Sequence, residues 1–352
     1  MSVKVSSIVN ALSSLSQALS KQRILLLTSS QGSKRRSAAY ASHVLRNQLG
    51  SNVQTATVSE PSISALKDGL DILKRTQCST IIGLGGSMVL DSAKFMAGIQ
   101  EDKDIRLVLI PTIPAGGKEV HNVGELFDWE KEERTVLELP SSVFATIVDP
   151  ELALEDKITK ETDYSAFLYS LALILNHSDD YLQKNEELLR HVREAIKTLL
   201  DVSPTAKSLP KKVRESMFSP QLMLTTGSNV VEEHGLDAIL ANIINPRVAL
   251  PRTAFRAGIL IPCVQERMKQ SKEFEKAMII MTGCANSDEA IKLLLNIQSR
   301  SSLQGGVRQL LRKRMDEKSI DALIKNAGEW MEEYPGNGPL KMSPELINKI
   351  FT

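Results

Sequence analysis

Through the first 150 residues, short apolar runs alternate with stretches of helical periodicity. The runs occupy residues 23–28, 53–58, 80–84, 106–110 and 145–148, and helical patterns cover 37–49, 63–75 and 89–99. A strand that is apolar at successive positions must be covered on both faces. Such runs separated by helices therefore predict a parallel sheet with helices on each side. From about residue 151 the texture changes to amphipathic stretches at 166–175, 185–200, 231–244, 254–268, 287–297, 319–333 and 344–350, almost without β-branched runs. The pattern predicts a doubly wound, Rossmann-like α/β domain over residues 1–152, followed by an all-helical domain over 153–352.

Length and composition agree with this division. At 352 residues the chain exceeds the usual single-domain size. Hydrophobic residues make up 42% and charged residues 24%, which excludes a disordered tail and a supercharged binder. Forty-three Lys and Arg stand against forty-two Asp and Glu, a net charge of +1. No basic excess is present to neutralise a phosphate backbone, so nucleic acid is not an expected partner. The N-terminus lacks the apolar core of a signal peptide, and no apolar run is long enough for a membrane span. No membrane partner is expected, and a cytoplasmic protein is. Cys78, Cys263 and Cys284 are far apart and lack paired spacing, so buried thiols are expected in preference to a disulfide framework or zinc knuckle. The basic runs 34–36 and 312–314 read as solvated faces, and His43, His177 and His191 as surface residues on helices.

The chemistry concentrates in a glycine-rich turn, Gly83-Leu-Gly85-Gly86-Ser87-Met88-Val-Leu-Asp91-Ser-Ala-Lys94, between a predicted strand and helix. Glycines let backbone approach a phosphate, and a helix N-terminus offers free N–H groups and a positive dipole end. The string resembles the GxGGGSxxDxAK motif of the iron-containing alcohol dehydrogenase superfamily, which includes maleylacetate reductases and the related dehydroquinate synthase fold. Further landmarks follow in order. Ile110-Pro-Thr112-Ile-Pro-Ala-Gly-Gly-Lys118-Glu-Val120 resembles the IPTTxAGTGSEVT segment at the nicotinamide end of the cofactor. Leu139-Pro140 with Asp149-Pro150-Glu151-Leu152 resembles LPxxxxxDPxL, and Leu250-Pro-Arg252-Thr-Ala-Phe-Arg256-Ala257 resembles the LPHAETHAVLLP segment of maleylacetate reductases. The landmarks span residues 21–265, and the compact length is closest to the maleylacetate reductase branch.

The resemblance implies cofactor contacts at Gly85, Gly86, Ser87, Asp91, Lys94 and Thr112, an active site in the cleft between the domains, and a homodimer. The sequence also departs from the pattern. Ser87 stands for a glycine and Met88 for a serine, which narrows the phosphate site and removes a hydroxyl donor. The second strand carries no acid near its end before Glu60, so the acidic ribose contact of NAD is not evident and NADP is at least as well suited.

At the family's metal site the ligand pattern is largely replaced. Ser165 takes an Asp position and Tyr169 a His position; a shifted alignment would use Asp163 but bring in Phe167. His234 keeps one ligand position, Ala238 replaces a second His, and Arg252 and Arg256 replace two more. A guanidinium cannot coordinate a metal, so no catalytic metal is expected. Instead Arg252 would stabilise an oxyanion while Tyr169 and His234 exchange protons. Arg256, Ser165, Lys118 and His121 would bind an anionic small-molecule substrate. Three readings stand at this point. One is a metal-independent NADP- or NAD-dependent oxidoreductase acting on an anionic unsaturated carbonyl compound. The second is a non-redox isomerase, lyase or cyclase on the same fold, and the third a catalytically silent homologue.

Overall fold

The computed structural model describes residues 2–5, 7–30, 32–34, 36–58, 62–99, 105–112, 118–128, 133–139, 143–149, 152, 160–177, 179–203, 206, 209–210, 212–213, 215, 235–248, 252–301, 303–316, 318–322 and 342–351. These residues divide into two compact units, one within Met1–Ile158 and the other within Thr159–Thr352.

The first unit is built on a six-stranded sheet of β1 (Ser2–Val5), β2 (Arg23–Ser29), β3 (Asn52–Val58), β4 (Thr80–Gly85), β5 (Arg106–Pro111) and β8 (Val143–Val148). Their order is β1-β8-β5-β4-β2-β3, and every pairing is parallel. Strand periodicity sends alternate side chains to opposite faces. Ile24, Leu26, Ile82, Leu84, Val108, Ile110, Ala145 and Ile147 therefore pack on one side with α1 (Ile8–Ser14), α2 (Ser16–Leu19) and α3 (Arg36–His43). Leu25, Leu27, Ile81, Leu107 and Leu109 pack on the other with α4 (Ile63–Thr76) and α5 (Ser87–Gly98). This double burial explains why β2, β4 and β5 read as continuous apolar runs, whereas the edge strand β3 is buried only in part. From β2 the chain moves outward to β3, whereas from β4 it moves the opposite way to β5. Their carboxyl ends therefore flank the topological switch point, where sheets of this kind receive ligands.

All five strands expected from the apolar runs are present. Five elements of this unit were not foreseen: the edge strand β1, the helices α1 and α2, and the antiparallel hairpin of β6 (Val123–Asp128) and β7 (Glu133–Glu138).

The second unit is helical in its described part, as expected. It contains α6 (Lys160–Leu175), α7 (Asp179–Lys184), α8 (Glu186–Leu200), α9 (Leu236–Val248), α10 (Arg252–Gln270), α11 (Lys272–Thr282), α12 (Ser287–Ser299), α13 (Leu303–Arg314) and α14 (Pro344–Phe351). In α8, Leu188, Leu189, Val192, Ala195, Ile196 and Leu199 recur at helical spacing and are all buried. Ser271 and Asn286 cap α11 and α12 by accepting from Phe274 N and Glu289 N. Phe255, Ile259 and Cys263 of α10 pack against Leu240 and Ile244 of α9, Leu311 of α13 and Ile350 of α14. Most of the expected helix over 319–333, the start of that over 231–244, and the side chains of the basic run 34–36 lie outside the described residues.

Two smaller expectations are corrected. His177 is buried, with its ring stacked on Tyr181 at 4.0 Å between centroids. Cys284 is half-exposed, while Cys78 and Cys263 are buried free thiols.

Candidate functional site

The glycine turn closes β4 at the switch point. A Cβ at Gly85 would lie 2.7 Å from Val89 Cγ2, so this glycine is required by the close return of the helix onto its own strand. Gly86 is the N-cap of α5 in extended backbone, and no side chain caps the helix. Val89 N already donates to Gly86 O at 3.0 Å, which leaves the Ser87 and Met88 N–H groups, with the dipole behind them, to face an incoming acceptor. Ser87 is half-buried and Met88 is exposed. Thr112 is tied to the same turn, its N–H donating to Gly85 O at 3.0 Å.

Ser87, Asp91 and Lys94 share one face of α5, but only the first reaches the surface. Asp91 is 2% exposed and Lys94 0% exposed, beneath the hairpin. Lys94 Nζ donates to Val123 O at 2.6 Å and lies 3.8 Å from Asp91 Oδ1. Lys118 Nζ bridges Asp91 Oδ2 at 2.9 Å and Glu125 Oε1 at 3.0 Å. Beside it, the Glu119 carbonyl accepts from Thr146 Oγ1. Burial pushes the Lys94 ammonium down to about 8, against the pull of Asp91. Burial likewise raises Asp91, while Lys118 and Lys94 oppose the shift.

This arrangement corrects three expectations. Asp91 and Lys94 are enclosed and support the turn from below, without surface for direct cofactor contact. Lys118 spends its charge on two carboxylates, so it is not a cation offered to substrate. His121 is half-buried. Glu125 was missed altogether, because it lies on the unforeseen hairpin.

In the helical unit, Tyr169 of α6 and Arg256 of α10 come together, with the guanidinium carbon 5.3 Å from the ring centroid. Arg256 is fully buried, and its Nε donates to Asp237 Oδ2 at 2.7 Å. With its amide turned to satisfy both ends, Asn176 closes the triangle: its nitrogen donates to Asp237 Oδ1 at 3.1 Å and its oxygen accepts from Arg256 Nη2 at 2.6 Å. A Cβ at Gly235 would lie 1.6 Å from the Asn176 amide, so a side chain where α9 begins would push Asn176 out of this network. Arg256 is therefore corrected from substrate contact to the cation of an internal network. Asp237 and Asn176, which complete it, carried no motif to mark them. Tyr169 is 1% exposed and Ser165 is buried on the same face of α6. His234 and the Arg252 side chain lie outside the described residues.

The described donors do not suit a divalent ion. A seryl hydroxyl, a phenol and a guanidinium are poor or impossible ligands, and the one carboxylate, Asp237, already accepts from Arg256 and Asn176. Among the described residues no three His, Cys, Asp or Glu side chains are placed to hold a metal. Nor is any described helix long and apolar enough to cross a membrane.

Residues 4–150 match the family described as iron-containing alcohol dehydrogenase. No curated protein matches the chain. Solved structures share its fold over nearly the whole length. An iron-containing alcohol dehydrogenase from Corynebacterium glutamicum is 15% identical, with 100% of this chain and 93% of that one covered and a TM-score of 0.76. An alcohol dehydrogenase from a halo-thermophilic Red Sea brine pool archaeon is 16% identical, covering 99% and 96%, with a TM-score of 0.78. A maleylacetate reductase from Agrobacterium tumefaciens is 16% identical, covering 99% and 94%, with a TM-score of 0.74.

Proposed function

We propose, from the match of residues 4–150 to the iron-containing alcohol dehydrogenase family and the fold that the whole chain shares with solved structures, that this protein is an NADP- or NAD-dependent oxidoreductase. The observation that carries the reading is the uncapped N-terminus of α5, presented at the switch point by a strand-ending glycine turn. Gly86 and Ser87 would face the pyrophosphate there, and Thr112 would hold the following segment against Gly85. Bound nicotinamide supplies a hydride. An anionic unsaturated carbonyl compound is the substrate class we favour, reduced without a catalytic metal. Arg252 takes a position that carries His in the maleylacetate reductase pattern, and a guanidinium there suits a carboxylate or enolate oxygen. His234 is the proton donor we favour; Tyr169, buried beneath Arg256, fits a packing part better than a proton-transfer one.

Titration with NADPH and NADH tests the cofactor. At 100 times its dissociation constant a bound nucleotide stabilises the fold by about 2.7 kcal/mol, visible as a rise in melting temperature. Ser87→Gly combined with Met88→Ser should tighten binding by restoring backbone access and a hydroxyl donor. Absence of any shift at millimolar nucleotide would instead promote acid–base chemistry without a cofactor, the reading favoured by exposed Met88 at the turn. For the metal, protein purified without chelators should carry less than one divalent ion per chain by elemental analysis, and activity should survive EDTA. Stoichiometric iron or zinc would overturn this part of the reading.

A further inference from the structure

We propose that Lys118 is a positioning residue that anchors the chain at residues 118–120, together with the hairpin, to the helix of the glycine turn, an inference that rests on the cofactor reading above. Residues 113–117 lie outside the described set, but the residues on either side are both tied to the first motif. On one side, Thr112 N donates to Gly85 O at 3.0 Å. On the other, Lys118 Nζ meets Asp91 Oδ2 at 2.9 Å, and Asp91 lies on the helix that begins at the turn. The same ammonium reaches Glu125 Oε1 at 3.0 Å, so the tie also includes the hairpin packed over α5.

The chemistry argues for geometry over stability. Lys118 and Asp91 are 2% exposed and Glu125 is 5% exposed, so all three have been stripped of water. A buried ion pair commonly adds no more stability than apolar side chains of the same volume. What it adds is one allowed arrangement, because two carboxylates and an ammonium satisfy each other only at short range. A side chain of this kind where the resemblance has small or hydroxyl residues couples two stretches that would both contact one dinucleotide. Binding a ligand at two places is tightest when their separation is set in advance.

The test measures nucleotide dissociation constants by nicotinamide fluorescence alongside melting temperatures, for wild type, Lys118→Met with Glu125→Gln, and Lys118→Arg. The double variant removes one charge of each sign and leaves Asp91 with Lys94, so it avoids an unbalanced buried carboxylate. Well below each melting temperature, its affinity for NADPH or NADH should fall about tenfold or more. Lys118→Arg, which keeps the cation, should recover most of the loss. Equal affinity in wild type and double variant, whatever their melting temperatures, would leave Lys118 a purely structural residue and overturn the proposal alone. No nucleotide binding by the wild type would overturn both it and the reading it rests on.

Discussion

Replacing Arg256 by leucine should lower the unfolding free energy by about 3–5 kcal/mol, among the largest effects of any single substitution in the protein. The reason is the partner left behind. Asp237 is 4% exposed and accepts from Arg256 Nε at 2.7 Å, so its charge would remain buried with only the Asn176 amide to satisfy it. Neutralising the carboxylate as well, in Arg256→Leu with Asp237→Leu, should recover much of the loss, because a buried pair replaced by apolar side chains is often neutral. Urea denaturation of wild type, single and double variants measures both numbers. Additive losses in the double variant would show that the two residues do not act as a pair.

Lys94→Met should also destabilise the fold, by about 1–3 kcal/mol, since it leaves the buried Val123 carbonyl without its donor, while Asp91 keeps its pairing with Lys118. Its pH dependence gives a second signature. Burial holds the folded-state Lys94 at about 8, below the ordinary 10.5 of an exposed lysine. Between those values the unfolded chain binds the proton that the folded chain has released, so stability rises with pH. The Lys94 contribution is thus full above the unfolded value and is lost as pH falls through the folded one. Wild type should gain stability relative to Lys94→Met when pH is raised from 8 to 10. Asp91, Lys118, Glu119 and Glu125 surround the group and are present in both proteins; because the Lys94 charge also acts on Asp91, the difference reports Lys94 together with that coupling. A pH-independent difference over that range would refute the assignment.

The parallel sheet was legible because burial on both faces writes itself into consecutive apolar residues, as in Ile24 to Leu27, all 0% exposed. The hairpin was not, because Glu125 and Asp128 interrupt β6 and the buried Glu125 breaks the expected polar-out alternation. Its charge is satisfied by Lys118, which no local pattern could announce. The site was legible only as positions. Motif spacing placed Asp91 and Lys94 on one face of a helix, but whether that face turned outward depended on β6, which the sequence had hidden. Arg256 shows the same limit: the motif marks its position, while its partner Asp237 lies 19 residues away and Asn176 just past the end of α6.

The edge strand β1 pairs with β8, Ser2 opposite Ala145 and Val5 opposite Val148, and Ile8 N donates to Asp149 Oδ2 at 2.8 Å. During synthesis β1 therefore has no partner until about 140 more residues have followed. Strands β2, β3, β4 and β5 can pair while β1 waits, so the sheet can build from its β3 edge towards β8. Until β8 arrives, the exposed side of β5 is an open edge, and this is the interval in which a nascent chain of this protein is most prone to pair with a neighbour.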